Sequence, residues 1–550
     1  MIAIHFDAYQ LIVFAFFSLM RMFSAMLLSV LFAVIVGMAA ARRKRVGRVL
    51  IAILDILQSV PILGFFPAAI FFFVLLYGNV WGVEMAAVFL IFTSMAWNMA
   101  FSVYESVTTI PDELLEVSEV FGLSPWRRFT TLYLPATVPR LVYNMLLSWA
   151  GGWYFLTAAE IIAFGAANYA LPGLGRFIAQ SASTYSWLDL GAGIVVLVAV
   201  ILTIEYLLWH PLEVYSERFK YESTGSQIVR PVVGPMMIGH RIAHSRGFVR
   251  LRGRLLRRTA VLSAIISKSG RLLGSIVGRR LFHKKAFKRA VALIVTAVVL
   301  LILYDVSPDL LRGTRYLVED TTKLMSSSDM MKEMYSLPVY LGYSVSRLAA
   351  AYVISVVWTI PVAYLIGRSE RAMSVVLPFF EVVASIPGIA YFPLILVLLL
   401  DFSWGPNLAS VVLVLTGMQW YLLFNVVAGM RSIPNELSEA SNMFGLKGTR
   451  LWKVLILPVI APTFVTGSIT AWGGGWNALI VSEYIAFTDR TIRLPGLGGF
   501  LDAATFVYGN IALMLIGLFV MSAFIITLNS LVWHRLYSWV SGKYKMEIGT

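Results

Sequence analysis

Four carboxylates stand inside long apolar runs, and each has a counterpart elsewhere in the chain: Glu160 pairs with Glu483, and Asp55 with Glu381. An ionisable group buried in a membrane span is costly, so it marks one of two things. It contacts a solute or ion in transit, or it hydrogen-bonds one helix to another. Neutral polar groups accompany the carboxylates: Gln58, Asn98, Asn144, Gln419, Asn425 and Asn477. Trp149, Gly151, Gly152 and Trp153 recur as Trp472, Gly474, Gly475 and Trp476. Indoles at such positions suit an interfacial belt or a pocket wall, and the adjacent glycines, which let helices approach or open, favour the pocket. The candidate pathway residues are therefore Trp149, Trp153, Glu160, Trp472, Trp476, Asn477 and Glu483. The chain has no cysteine, which removes a thiolate metal site and a cysteine nucleophile. No metal or cofactor is expected in it.

A second set of residues lies in two stretches too polar to span. They read IPDELLEVSEVFGLSPWRRFTTLYLP from Ile110 and IPNELSEASNMFGLKGTRLWKVLILP from Ile433. Each opens with Pro and acids, which favour a helix start. Gly122 and Gly445 then end or bend that helix, so that a short helix turns sharply into another. Leu114, Val117 and Phe121, like Leu437, Ala440 and Phe444, fall at helical spacing and form an apolar stripe with something to bury.

The elements that must position these groups are membrane helices. Of 550 residues, 59% are hydrophobic and 13% charged, with a mean hydropathy of +0.80. Uninterrupted apolar runs of helical span length, and no alternating ten-residue segments, point to a polytopic all-α membrane protein and away from a β-barrel. The chain is also duplicated. A shift of 323 maps 110–175 onto 433–498 without a gap, and a shift of 326 maps Arg21 onto Arg347 and Ser59-Val60-Pro61 onto Ser385-Ile386-Pro387. The basic cluster Arg42-Arg43-Lys44-Arg45 follows the first apolar segment, the reverse of a signal peptide, so this helix is read as retained with an outside N-terminus. The positive-inside rule then gives helices near 11–41, 50–77, 84–104, 132–163 and 190–210. An extra crossing at 290–304 and an external segment from Tyr304 to Leu337 precede helices near 338–367, 373–400, 407–428, 455–487 and 510–533. The expectation is two tandem parallel repeats of about five core helices, roughly eleven spans in all, with a cytoplasmic C-terminus.

The expected domains are a first repeat over 1–212, a basic cytoplasmic linker over 213–289 and a second repeat over 290–550. The whole net charge of +15 resides in the linker, whose 18 Lys and Arg face 3 Asp and Glu. Basic residues interleaved with apolar stretches read as a segment lying against anionic membrane lipid. Without a stacking platform or binding motif, they do not read as a nucleic-acid site.

The two polar stretches resemble the Glu-Ala-Ala loop of ABC importer permeases. That pattern has three small residues led by Glu, Gly after three more, and aliphatic-x-Leu-Pro after nine. Here it is Glu116-Val117-Ser118, Gly122 and Leu132-Tyr133-Leu134-Pro135, then Glu439-Ala440-Ser441, Gly445 and Leu455-Ile456-Leu457-Pro458. Both copies end the triplet in Ser, and the first carries the bulkier Val117. Ser18-x-x-Arg21 and Ser344-x-x-Arg347, the proline-bearing second helices, and Glu160 and Glu483 before a Gly-Leu-Gly are similar to the branch importing nitrate, taurine, other sulfonates and bicarbonate. The resemblance implies ATPase docking through Glu113, Glu116, Phe121, Gly122, Glu436, Glu439, Phe444 and Gly445. It also implies alternating access in the cell inner or plasma membrane, an extracytoplasmic solute-binding protein, and a small anion as substrate. No Gly-x-x-x-x-Gly-Lys-Ser/Thr is present, so ATP and Mg would belong to a separate ABC ATPase dimer. Two rival readings stand beside this one: an ion-coupled secondary transporter using Glu160, Glu483, Asp55 or Glu381, and a membrane scaffold.

Overall fold

The computed structural model describes residues 8–165, 171–184, 186–219, 314–399, 401–486 and 491–543. The expected crossing at 290–304 and the linker from 220 onward lie outside these residues.

The first repeat comprises α1 (Ala8–Arg42), α2 (Lys44–Ser59), α3 (Phe66–Thr108), α4 (Asp112–Val120), α5 (Leu134–Gly165), α6 (Leu174–Ser183) and α7 (Trp187–Ile204). The second comprises α8 (Ser328–Tyr335), α9 (Leu337–Gly367), α10 (Glu370–Ser385), α11 (Gly388–Leu399), α12 (Gly405–Arg431), α13 (Asn435–Met443), α14 (Leu457–Glu483), α15 (Leu497–Asp502) and α16 (Ile511–Leu528). Between α14 and α15, β1 (Tyr484–Ala486) and β2 (Thr491–Arg493) form a small antiparallel hairpin with Ile485 opposite Ile492. The rest of the described architecture is helical, as apolar runs of this length require when backbone groups must be satisfied within the segment.

The second core helix of each repeat departs from the expected continuous spans at 50–77 and 373–400. It is broken at the same register in both. After α2, Val60 is extended (φ −79°, ψ 127°) and a 3-10 turn, Ile62–Phe65, leads into α3. After α10 the chain breaks at Ile386-Pro387 before α11 begins. Pro61 and Pro387 explain this, because proline has no N–H to donate and pushes the residue before it out of the helical region. Gly78, at φ 74°, puts a further kink inside α3. Among the described residues, seven helices are long and apolar enough to cross a membrane, or eight if α10 and α11 count as one broken span. The eleven expected also counted the 32-residue α5, the broken first-repeat helix and the undescribed crossing.

The break lets each repeat lend a half-helix to the other. Leu63, Phe66, Ala69 and Ile70 of the first repeat are buried in a core built mostly by the second, beside Leu413, Met418 and Trp476. Ala390 of α11 is buried in the first repeat's core, with Leu394 packed against it. Halfway along, the Leu63 N–H donates to Asn477 Oδ1 across the repeats (3.3 Å), satisfying a backbone group that the break leaves free.

One feature belongs to the second repeat alone. The Asp320 carboxylate accepts the Ile511 N–H (2.8 Å), and Asn510 Nδ2 donates to the Asp320 carbonyl (2.8 Å). Asn510 Oδ1 accepts the Leu513 N–H (2.8 Å). The segment ahead of the second repeat thus helps to cap α16. Residues 314–319 and 371–382, which belong to a separate unit, are both helical.

Candidate functional site

The structure resolves Glu160 and Glu483 into one buried cluster, built twice. Each carboxylate is fully buried. Ser18 Oγ donates to Glu160 Oε1 (2.7 Å) and Arg21 NH1 to the same oxygen (2.7 Å), while Gly175 N–H donates to Oε2 (2.8 Å). Arg21 NH1 also reaches the Pro172 carbonyl (2.8 Å), and Ser18 Oγ accepts the Leu174 N–H (3.0 Å). In the second repeat Ser344 Oγ (2.7 Å), Arg347 NH1 (2.8 Å) and Gly498 N–H (2.8 Å) donate to Glu483 in the same way. Arg347 NH1 meets the Pro495 carbonyl (2.9 Å), and Leu497 N–H donates to Ser344 Oγ (2.9 Å). A carboxylate at the start of α6 or α15 accepts otherwise orphaned amide groups and sits at the positive end of the peptide dipoles. Each cluster ties the first core helix, the fourth and the following loop into one body.

The Leu-Pro-Gly-Leu-Gly loops are shaped by this need. A Cβ on Gly173 would lie 2.1 Å from Glu160 Cδ, and one on Gly496 would lie 2.3 Å from Glu483 Cδ. Gly498 packs against the Ile480 carbonyl at 2.4 Å for the same hypothetical atom. Both arginines were visible in the sequence as repeat markers, but their partners lie more than 130 residues away. Glu84 and Asn407, which complete the clusters, gave no such signal. Arg21 makes a two-armed ion pair with Glu84 (2.7 and 2.6 Å), whereas Arg347 meets the single Asn407 Oδ1 (3.2 and 2.9 Å). The first cluster therefore holds two carboxylates on one guanidinium, the second only one.

Trp149, Trp153 and Trp476 are buried within the helix cores. Trp149 stands at a right angle to Trp153 (6.2 Å) and against Trp209 (5.3 Å), and Trp472 repeats the latter contact with Trp533 (5.8 Å). Asp55 and Glu381 are exposed, on α2 and α10. Outside the spans, burial lifts the Asp502 carboxyl to about 6 although Arg493 donates to it from Nε (3.0 Å) and NH2 (2.6 Å).

At the opposite end, α4 and α13 are a matched pair. Gly122 (φ 58°) and Gly445 (φ 64°) take the left-handed conformation. Gly122 N–H bonds to Glu119 O (2.8 Å) and Leu123 N–H to Ser118 O (3.1 Å). Gly445 N–H to Asn442 O (3.0 Å) and Leu446 N–H to Ser441 O (2.9 Å) repeat the motif, a glycine stop that satisfies the last carbonyls. Ser118 and Ser441 face inward and are buried, while Phe121 is 76% and Phe444 82% exposed. Glu113, Glu116, Glu436 and Glu439 are exposed. Val117 and Val120 beside Phe121, and Leu437 and Met443 beside Phe444, enlarge each exposed apolar face. Val120 and Met443, next to the capping Phe121 and Phe444, lay outside the sequence-derived stripe. Each face thus sets exposed apolar side chains beside exposed glutamates.

The model of the binding-protein-dependent transport system inner membrane component family matches residues 11–208 and again 356–545. Among curated relatives, the taurine transport system permease protein TauC of Escherichia coli (strain K12) is 26% identical over 191 residues, 34% of this chain and 66% of that protein. The bicarbonate transport system permease protein CmpB of Synechococcus elongatus is 26% identical over 142 residues, 26% of this chain and 50% of its own length. The nitrate import permease protein NrtB of Leptolyngbya laminosa is 25% identical over 145 residues, again 26% and 50%. The chain thus spans half to two thirds of the length of these relatives. Two family matches, each containing one of the capped helices α4 and α13, show that the chain belongs to the binding-protein-dependent transport system inner membrane components, with the family's unit present twice.

Proposed function

We propose that this chain forms the substrate pathway of an ABC importer and is driven by a separate ATPase dimer seated on α4 and α13. The observation that carries the reading is the pair of identically capped helices with exposed Phe121 and Phe444. Two copies of one ATPase present two like grooves, and two like helices answer them. ATP and Mg would be held by that partner, and an extracytoplasmic solute-binding protein would deliver substrate at the other end. The basic residues at 42–48 support an orientation with α4 and α13 in the cytoplasm, the N-terminus outside and the C-terminus inside.

The names of the relatives support a small oxyanion, such as nitrate, bicarbonate or a sulfonate, as substrate. The ion-coupled alternative loses its buried candidates, because Glu160 and Glu483 are already engaged by guanidinium, hydroxyl and amide donors. We assign those carboxylates, and the buried tryptophans, to holding each repeat rigid while the two repeats rock. Co-purification with an ATPase encoded beside the chain, and uptake in vesicles that needs ATP, test the reading. Uptake driven by an ion gradient with no ATPase present would overturn it.

A further inference from the structure

We infer that the passing solute is held halfway across the membrane by three tyrosine hydroxyls, Tyr154, Tyr391 and Tyr421, where the two repeats meet. The inference rests on the importer reading above and names its substrate contact. Tyr154 lies midway along α5, Tyr421 midway along α12, and Tyr391 in the first turn of α11, just after the break. α11, which carries Tyr391, packs against both α5 and α12, so the three elements that bear these tyrosines meet where the two repeats do.

Three observations point to a ligand. The Tyr154 hydroxyl is buried and has no hydrogen-bond partner, a state that costs free energy unless something else accepts its proton. The Tyr391 hydroxyl borders Gly388, where an added Cβ would lie 3.3 Å from it with Thr416 alongside, and the Thr416 hydroxyl is fixed by donating to Leu413 O (2.6 Å). Tyr421 lies beside Gly474, where an added Cβ would come within 2.8 Å of its ring, yet the residue remains 42% exposed. It combines contact with the helix interface and open surface.

The register of the duplication separates this cluster from the scaffold. Apart from Glu84 against Asn407, the Ser-Arg-Glu clusters are the same in both repeats, as a structural device should be. The tyrosines are not. Tyr154 corresponds to Asn477, Tyr421 to Asn98 and Tyr391 to Phe65. Two of these counterparts are amides, and one of them, Asn477, bonds across the repeats. A single solute on the common axis needs only one set of contacts, so the two halves are free to differ there.

The chemistry selects a class. Phenol O–H groups donate to acceptor oxygens, and all three groups are neutral. Neutral donors replace part of the water shell of a small oxyanion without a fixed charge that would retain it.

The chain lacks cysteine, so Asn425→Cys, one helical turn from Tyr421 on α12, introduces the only thiol. The full-length variant, in lipid nanodiscs, is labelled with a small water-soluble maleimide in the presence of sodium nitrate, sodium bicarbonate, taurine or choline chloride. At least one of the three oxyanion probes should slow labelling threefold or more, while choline should not. Adding Tyr154→Phe or Tyr391→Phe, which keep the ring, should raise the half-protecting concentration at least fivefold, with the melting temperature checking that each variant folds. No labelling, no protection by any oxyanion, or equal protection in the phenylalanine variants would overturn the assignment. Protection without ATPase association would leave the site standing and remove the importer reading. ATP-driven uptake without protection would do the reverse.

Discussion

Adding one methyl group at Gly173 or Gly496 should unseat a buried carboxylate, because the space each glycine leaves is the space its glutamate fills. The new Cβ would lie 2.1 Å from Glu160 Cδ in the first case and 2.3 Å from Glu483 Cδ in the second. Backbone strain is not the cause, since Gly173 is extended at φ −179° and alanine adopts that conformation freely. The carboxylate must move, and Ser, Arg and backbone N–H donors then lose it. Charge-assisted hydrogen bonds contribute about 1.5–3 kcal/mol each, and leaving a buried charge without its partner costs about 3–5 kcal/mol. Gly496→Ala should sit at the upper end, because Arg347 has only Asn407 and a carbonyl to fall back on, whereas Arg21 retains Glu84. On a repeat-sized cooperative unit this is a fall in melting temperature on the order of 10 °C. The assay is thermal unfolding of the full-length chain in detergent, read as the monodisperse fraction surviving each temperature. Gly151→Ala is the control, since its Cβ meets nothing within 4 Å, and helix propensity alone should raise stability by up to about 1 kcal/mol. If both loop variants melt with the wild type, the carboxylates are not held as described.

Removing the guanidinium alone, in Arg347→Met, should destabilise by about 3–5 kcal/mol, and the double variant with Glu483→Gln should recover part of that loss; a double-mutant cycle with no coupling would contradict the pair. Arg21→Met should be worse, because it strands two carboxylates, and folded yield checks the ranking. Gly122→Val together with Gly445→Val should leave insertion intact and suppress ATP-driven uptake, since both sites are left-handed and each costs about 1–2 kcal/mol for a side chain there; unchanged uptake would count against it. The Asp502 carboxyl, lifted from 3.8 to about 6, binds its proton more tightly in the folded chain. Stability from this group therefore rises as pH falls from about 6 to 4, by up to about 3 kcal/mol. Melting of the wild type relative to Asp502→Asn across that range reads it, and a difference that does not change with pH would rule it out.

Much of the fold was legible because duplication supplied its own control. Polar stretches recurring at a fixed shift located α4 and α13, and a glycine after a short helix signalled the stop that the left-handed Gly122 and Gly445 provide. Hydropathy could not show the broken second helices, since the runs around Pro61 and Pro387 stay apolar through the break, although both prolines were aligned in the sequence. Glu160 and Glu483 were found as costly groups, but their role was not readable. That role depends on arginines brought close only by helix packing. A cation and an anion each repeated within apolar helices were the available signal, and pairing them would have preceded any structure. Glu84 and Asn407 stand at the same shift of 323, but one is an acid and the other an amide, so residue identity gave no match between them.

The central claim is that α4 and α13 are the seats of a separate ATPase, and retention of that ATPase by charge-reversed variants tests it most directly. Glu116 and Glu439 are exposed at matched positions of the two helices, so Glu116→Arg and Glu439→Arg should each reduce ATPase recovery with the purified chain to a similar degree. The double variant should lose it almost entirely while remaining folded. Normal ATPase recovery, with substrate-stimulated hydrolysis intact in both single variants and in the double, would show that these helices are not where the energy enters.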